Sequence, residues 1–182
     1  MVYTSRSDDA QNWSAPLRVS QNPTGQAANN LGRGTGAMRP SLTAAGADAL
    51  AVAWLDKRDF LSGYDVYAAM SGPGGGNFGR NLKVQDSFGD SIAQWHAAIA
   101  GDARGNLAVA WDDERDGSAD IWLAWATAEG FSDNVTPAAG PGQQSDPVLA
   151  LDDAGTLHLA WIDRSADGHS RLRYVAGRLT SQ

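Results

Sequence analysis

The chain contains no cysteine in its 182 residues. This absence excludes a disulfide framework and any metal site that is built on thiolates. Long hydrophobic runs are also missing, because no apolar segment reaches the ~18 residues of a membrane span, and the first residues lack the basic-then-apolar order of a signal peptide. Positive charge is scarce as well: 14 basic residues stand against 21 acidic ones, for a net charge of −7. We therefore expect neither nucleic acid nor a membrane as a partner.

Glycine and tryptophan, by contrast, are plentiful, with 21 and seven residues. A repeated unit can be aligned on Trp54, Trp111 and Trp161, which stand 57 and 50 residues apart. Each unit has an apolar strand, a Gly/Asp turn, a second strand that ends in Ala-Trp-x-Asp, a charged turn and a third strand. A self-similar unit of about 40–50 residues with several short strands is typical of a β-propeller blade.

We therefore predict an all-β chain that forms a single β-propeller domain of four-stranded antiparallel blades, about three per chain. Residues 1–20 would supply strands three and four of a first blade, 40–85 a second blade, 97–139 a third, and 147–178 an incomplete last blade. The polar, glycine-rich residues 21–38 would form a long connection.

Three blades cannot close a ring, because propellers need about four or more. An open array also leaves free strand edges and a bare apolar face, which favour association. Two alternatives follow. Either the chain is a piece of a longer propeller, or a homodimer forms in which each copy's N-terminal strands finish the last blade of the other, giving six blades. In the dimer both ends supply a third strand, so one of the two must be displaced.

Polar and charged residues recur at two sets of equivalent positions in the units. The positions that enter the first strand of each unit are Arg39, His96 and Asp146. The turns after the second strand contribute Asp56, Arg58, Asp113, Arg115 and Asp163. Together these side chains would place carboxylates, guanidinium groups and an imidazole around a central funnel. The alternative for the repeated Asp-x-Arg turns is structural: the aspartate accepts backbone N–H bonds and the arginine pairs across the turn.

His96 interrupts the repeat beside Trp95, and blade geometry does not require a histidine there. The alternative is a partly exposed histidine with no special role. The sequence has no HxH or HExxH spacing, and the acidic turn 112–120 lacks the spacing of an EF-hand loop. We therefore expect no metal and no other cofactor, and we interpret the acidic turn as solvated charge.

The segment SRSDDAQNW (5–13) resembles a degenerate Asp-box, the S-x-D-x-G-x-x-W turn of sialidase-like BNR-repeat propellers. Asp8 and Trp13 match this motif, and Ser71, Gly75 and Phe78 keep its frame in the next unit. The sequence segments around Trp111 and Trp161 are similar to the repeat pattern of the same family, and the resemblance covers most of residues 40–176. It implies that the aspartate caps backbone N–H groups of the turn and that the aromatic side chain packs between blades.

The resemblance also implies that ligands bind on the face opposite the Asp-box turns, which makes the eight residues named above at the strand entries and turns the candidate ligand-binding residues. It further implies an extracytoplasmic (secreted or periplasmic) protein. Together with the candidate residues it favours a non-catalytic module that binds a glycan or protein ligand at the funnel. A glycoside hydrolase of exo-sialidase type is one alternative, with Arg39, Arg58 and Arg115 as a carboxylate clamp and Asp56 or Asp113 as the acid. Against it, the family's F/Y-R-I-P motif is reduced to Arg39-Pro40, and no tyrosine stands near a glutamate. A purely structural assembly module is the other alternative.

Overall fold

A computed structural model describes residues 1–21, 36–58, 63–87, 92 and 94–179. Within these residues the chain forms thirteen β-strands and one short 3-10 turn, Pro73–Gly75, without an α-helix. No helix within the described residues is long and apolar enough to cross a membrane. The prediction of an all-β chain is confirmed. Most of the predicted connection 21–38 lies outside the described residues.

The strands form four antiparallel sheets, each built from strands that follow one another in the chain. Sheet A contains β1 (Tyr3–Thr4) and β2 (Leu17–Arg18). Sheet B contains β3 (Ala37–Ala44), β4 (Leu50–Asp56), β5 (Asp65–Met70) and β6 (Leu82–Lys83). Sheet C contains β7 (Gln94–Gly101), β8 (Leu107–Asp113), β9 (Asp120–Trp125) and β10 (Val135–Ala138). Sheet D contains β11 (Gln143–Leu151), β12 (Thr156–Arg164) and β13 (Ser170–Arg178).

The sheets stack face to face in chain order, with an apolar layer between each pair. Strands β4 and β8 are apolar on both faces, and their side chains are buried almost throughout because each lies in a sheet with a neighbour on either side. The three layers contain, in order, Val2 with Trp54, Leu55 with Trp111, and Ile121 with Leu159. The core is therefore a series of layers between sheets rather than one central cluster.

Strand pairing establishes which residues of the sheets are equivalent. Trp54 pairs with Tyr67 and Trp111 with Trp122. In sheet D the partner of Trp161 is instead Arg173. Directly opposite residues lie on the same face of a sheet, so each tryptophan and its partner face the preceding sheet.

The first strand of sheets B, C and D begins earlier than the repeat pattern predicts. The expected starts were residues 40, 97 and 147, and the observed ones are 37, 94 and 143. A β-bulge near the start of each strand shifts the alternation by one residue without ending the pairing with the second strand.

Candidate functional site

The bulges in sheets B, C and D hold three of the predicted site residues. The register against the second strand shifts between Met38 and Ser41, between Trp95 and Ala98, and between Ser145 and Val148. Within each shift one residue has a left-handed backbone: Arg39 (φ 51°), His96 (φ 47°) and Asp146 (φ 56°). We call these three the bulge residues. Residues other than glycine rarely adopt this conformation, and it is concentrated at functional sites.

His96 connects sheet C with sheet D. Its Nδ1 lies 2.9 Å from Oδ2 of Asp112 on the neighbouring strand, and its Nε2 lies 3.3 Å from Oδ1 of Asp146. The imidazole is one-third exposed, the Asp112 carboxyl is buried, and the Asp146 side chain is half-exposed. The His96 imidazole therefore lies between two carboxyl groups, of which the sequence analysis did not single out Asp112.

Asp112 departs from the repeat. The equivalent positions hold Leu55 in sheet B and Ile162 in sheet D, and only sheet C places a carboxyl there. Burial raises the pKa of Asp112, the hydrogen bond and charge of His96 oppose this shift, and Asp146 adds to it. Comparing the units position by position, as for His96, would have identified it.

Aromatic rings lie beside the bulge residues. The Arg39 guanidinium carbon is 6.0 Å from the centre of the Trp95 ring, next to His96 in the chain. Trp95 in turn packs on Tyr64, with 5.4 Å between ring centres and the planes tilted by 46°. Lys57 places its ammonium group 5.2 Å from the Tyr64 ring. A continuous row of contacting polar and aromatic side chains therefore crosses the sheets. It runs from Arg39 in sheet B through Trp95 and His96 in sheet C to Asp146 in sheet D.

The Asp-x-Arg turn of sheet B is bonded within itself. The Asp56 carboxylate is fully buried and accepts hydrogen bonds from Trp54 Nε1 (2.8 Å), from the backbone N–H of Arg58 (2.9 Å) and from its Nη2 (2.6 Å). The Arg58 guanidinium lies 4.1 Å from the centre of the Tyr67 ring. It also donates to Asn81 Oδ1 (3.0 Å), and the amide of Asn81 donates to the Val19 carbonyl of sheet A.

The same arrangement recurs in sheet C. Asp113, also buried, accepts from Trp111 Nε1 (3.2 Å) and from Arg115 Nε and Nη2 (2.9 and 2.6 Å). Arg115 lies 4.0 Å from the Trp122 ring centre and donates to Asp86 and Asn134. We call this set of contacts the arginine latch, because it joins sheet B to sheet A and sheet C to sheet B. It is the bonding pattern that the structural alternative describes, and sequence reasoning missed its asparagines.

Sheet D lacks the arginine latch. Ser165 stands where Arg58 and Arg115 stand, and Asp163 accepts instead from Arg173 Nε (2.9 Å) and Gln144 Nε2 (3.3 Å). The hydrogen bond from Arg173 lowers the pKa of Asp163. A cavity of about 410 Å³ remains at this place, lined by Gln144, Trp161, Asp163, His169, Arg171 and Arg173.

The turn that resembles an Asp-box is capped by Asp9 rather than Asp8. The Asp9 carboxylate accepts from the backbone N–H of Gln11 (2.8 Å) and Asn12 (2.7 Å), and the bond from Asn12 contributes most to lowering the pKa of Asp9. The reason is local geometry: the next residue, Ala10, has a left-handed backbone (φ 58°). The turn therefore folds back over Asp9.

The aromatic residues of these turns differ in burial. Trp13 is 63% exposed, whereas Phe78 packs into the layer between sheets A and B. Ser71 pairs with Phe78 and accepts the backbone N–H of Leu50 (2.9 Å), and Gly75 is buried with a positive φ that favours glycine. Trp13 does not belong to the apolar layer between sheets A and B, and no sheet precedes sheet A among the described residues.

In the part of the chain that the structure describes, no group of three or more histidine, cysteine or acidic side chains is arranged to hold a metal ion.

No model of a known protein family matches the sequence, and no curated protein is significantly similar to it. The structure is similar to the intramolecular trans-sialidase from Ruminococcus gnavus in complex with oseltamivir carboxylate, with a TM-score of 0.53, 13% identity and 94% of this chain covered. It is also similar to the leech intramolecular trans-sialidase complexed with 2,7-anhydro-Neu5Ac, with a TM-score of 0.52, 12% identity and 94% covered. The chain spans only 36% and 26% of those two chains. The likeness supports a sialidase-like fold.

Proposed function

We propose that the chain is a sialidase-like propeller module that binds a glycan at the bulge residues. In this proposal sheets A to D are successive blades, and the first strands β3, β7 and β11 line the central funnel. The stacking of the sheets in chain order and the likeness to two trans-sialidases support this architecture. Under the same proposal the module is extracytoplasmic.

The left-handed bulge residues are the observation that carries the proposal. Glycine would adopt this conformation without steric cost, yet the three positions hold arginine, histidine and aspartate. Each such residue costs of order 1 kcal/mol, and that cost persists where the side chain serves a function. Three different polar groups at three equivalent places point to a ligand with several distinct polar atoms.

A glycan fits this chemistry. Its hydroxyl groups need fixed donors and acceptors, which Arg39, His96 and Asp146 supply, and its ring faces need an apolar surface, which Trp95 supplies. The Arg39 guanidinium can bind a sugar carboxylate through two parallel hydrogen bonds. A glycan that ends in sialic acid is therefore the first ligand to test.

Binding without catalysis is favoured because the repeated turn carboxylates are engaged elsewhere. Asp56 and Asp113 are fully buried, and each is bonded to its own arginine. A general acid has to reach the leaving-group oxygen and hold a proton near the working pH. The specific observation in favour of a hydrolase is Asp112, since burial raises its pKa and a raised pKa suits a general acid.

Calorimetric titration with 3′-sialyllactose, with lactose for comparison, tests the proposal. We expect saturable binding by the wild type and at least a tenfold loss in Arg39→Gly, which keeps the left-handed backbone and removes the guanidinium. Arg80→Ala is the matched control, because this exposed arginine lies in the connection between β5 and β6, at the opposite end of the sheet.

Turnover separates the two candidate functions. Binding with no release of sialic acid supports the module. Release that is abolished by Asp112→Asn establishes the hydrolase instead. If neither saccharide binds, the glycan proposal is wrong and the structural assembly module becomes the better interpretation.

A further inference from the structure

The outer face of sheet D carries exposed apolar side chains where the equivalent positions of sheets B and C are buried. Leu172 and Tyr174 of β13 are 78% and 62% exposed. Their equivalents pack against the next sheet and are almost fully buried: Val66 and Ala68 in β5, and Ile121 and Leu123 in β9. Val148 and Ile162 extend the same exposed face across β11 and β12. The side chains on this face are of the apolar kind that packs between two sheets, but here no second sheet of the described chain covers them.

The edge of sheet D is open as well. In sheets B and C the third strand pairs with a fourth, but β13 has no such partner among the described residues. All nine residues of β13 are exposed. Beside them lies a cavity of about 210 Å³ that is lined chiefly by apolar side chains, among them Leu123, Val135, Pro137, Leu157 and Val175. An unpaired edge over an apolar groove accepts an added strand.

Sheet A, at the N-terminal end of the stack, has fewer described strands than sheets B and C. Among the described residues sheet A holds only β1 and β2, which correspond by the sequence repeat to a third and a fourth strand. Leu42 of β3 is 58% exposed, whereas Ile99 and Leu149, its equivalents, pack into the layers between sheets. The surface around Leu42 is where the first and second strands of a complete sheet would pack.

One arrangement covers all of these surfaces. Sheet D supplies strands one to three, and β2 of a second copy supplies the fourth. Both copies offer a third strand, but β13 pairs with β12 over nine residue pairs and β1 pairs with β2 over only two. We therefore expect β1 to yield.

We propose that two copies of this chain close a ring, in which β13 of each copy displaces β1 of the other and pairs with its β2. Leu172 then lies over Trp54 of the second copy, where Val2 packs in a single chain. The two interfaces of this ring are identical, and each joins the C-terminal sheet of one copy to the N-terminal sheet of the other. Continuity with the existing layers supports a second copy as the occupant, because its contacts would repeat those between successive sheets.

Light scattering and sedimentation over a range of concentrations test the proposal. We expect the wild type to have twice the 19.1 kDa mass of one chain and Leu172→Glu to be monomeric. Met70→Glu is the matched control, since Met70 is also an exposed apolar strand residue but lies on sheet B. Both substitutions fall on exposed positions, and circular dichroism checks that each variant is folded.

Removal of residues 2–5 distinguishes strand exchange from simple contact between faces. Deleting β1 removes the competitor of β13, so we expect the dimer dissociation constant to fall at least threefold. A monomeric wild type, a dimeric Leu172→Glu, or a weaker dimer after the deletion would each overturn the proposal. A ladder of larger masses would also overturn it, because the ring would not close with two copies.

Discussion

At the scale of single residues, backbone conformation is the feature that separates the candidate site from the rest of the sheets. The bulge residues and Ala10 are the described non-glycine residues with positive φ. Ala10 lies in an exposed surface turn. The bulge residues carry large or charged side chains into the same conformation within regular strands, so their strain is offset by the layers that hold those strands.

Asp112 gives the protein a pH dependence whose sign follows from the raised pKa. The folded state binds a proton on this carboxyl more readily than the unfolded state, so its contribution to stability is greatest at low pH and declines as the pH rises through the folded-state pKa. Asp112→Asn removes the buried charge. We expect a higher unfolding midpoint at pH 7, by about 2–4 °C for each ~1 kcal/mol gained in a chain of this size, and little difference near pH 3.

Thermal unfolding of wild type and variant at both pH values measures this effect. Asp153→Asn is the control, because this exposed carboxyl lies in the turn between β11 and β12, at the opposite end of β11 from Asp146. A lower midpoint of Asp112→Asn at pH 7 would mean that the contact with His96 outweighs the cost of burying the charge, contrary to our expectation.

At the scale of strands and turns, the repeat predicts most of what the structure contains. The apolar runs that end in Trp54, Trp111 and Trp161 are the second strands, and the all-β class follows from them. The bulges could not be predicted from the sequence. An inserted residue interrupts the alternation of inward and outward side chains, and the end of a strand interrupts it in the same way. The bulge residues themselves were identified as a set, since equivalent positions in a repeat occupy equivalent places.

Contacts between side chains are less accessible to sequence reasoning. The arginine latch depends on Asn81 and Asn134, which lie 23 and 19 residues from Arg58 and Arg115. Nothing in the spacing indicates that those asparagines face the arginines. The assignment of the capping role to Asp8 failed for a similar reason: two adjacent aspartates fit the motif, and only the fold of the turn selects Asp9.

At Gly101 of β7 two sheets approach so closely that a larger residue does not fit without a shift of its neighbours. A Cβ atom at this position would overlap the carbonyl oxygen of Ala44 on β3 and the side chain of Leu107. We expect Gly101→Ala to lower the free energy of unfolding by about 1–3 kcal/mol, the usual cost of overpacking. Urea denaturation measures the change. Gly177→Ala is the control, since a Cβ there meets nothing within 4 Å, and equal losses in the two variants would refute this explanation.

At the scale of the whole molecule, the sheets at the two ends of the stack are less buried than the sheets in its middle. Sheets B and C each have a neighbour on both faces, whereas β13 is exposed throughout. Local opening of β13 breaks few buried contacts, so we expect its amide hydrogens to exchange faster than those of β4 and β8 in an isolated chain.

Hydrogen exchange monitored by mass spectrometry provides a test that does not depend on mass. We expect the amides of 170–178 to be protected in the wild type at concentrations that favour the dimer and to exchange at least tenfold faster in Leu172→Glu. Amides of β8, which lies in the middle of the stack, serve as the internal control and should exchange equally in both. Protection of β13 that does not change with concentration or with the substitution would contradict the ring.

The order of the strands also has a consequence for how the chain acquires its structure. Each sheet is made from consecutive strands joined by hairpins, and each packs only on the sheets next to it in the chain. Contacts are therefore made within one sheet or between successive sheets, so the chain can gain structure without its two ends meeting. During synthesis, sheet B can form as soon as its residues leave the ribosome and can serve as a template for sheet C. In the proposed ring the meeting of two chains is a further step, whose rate depends on protein concentration.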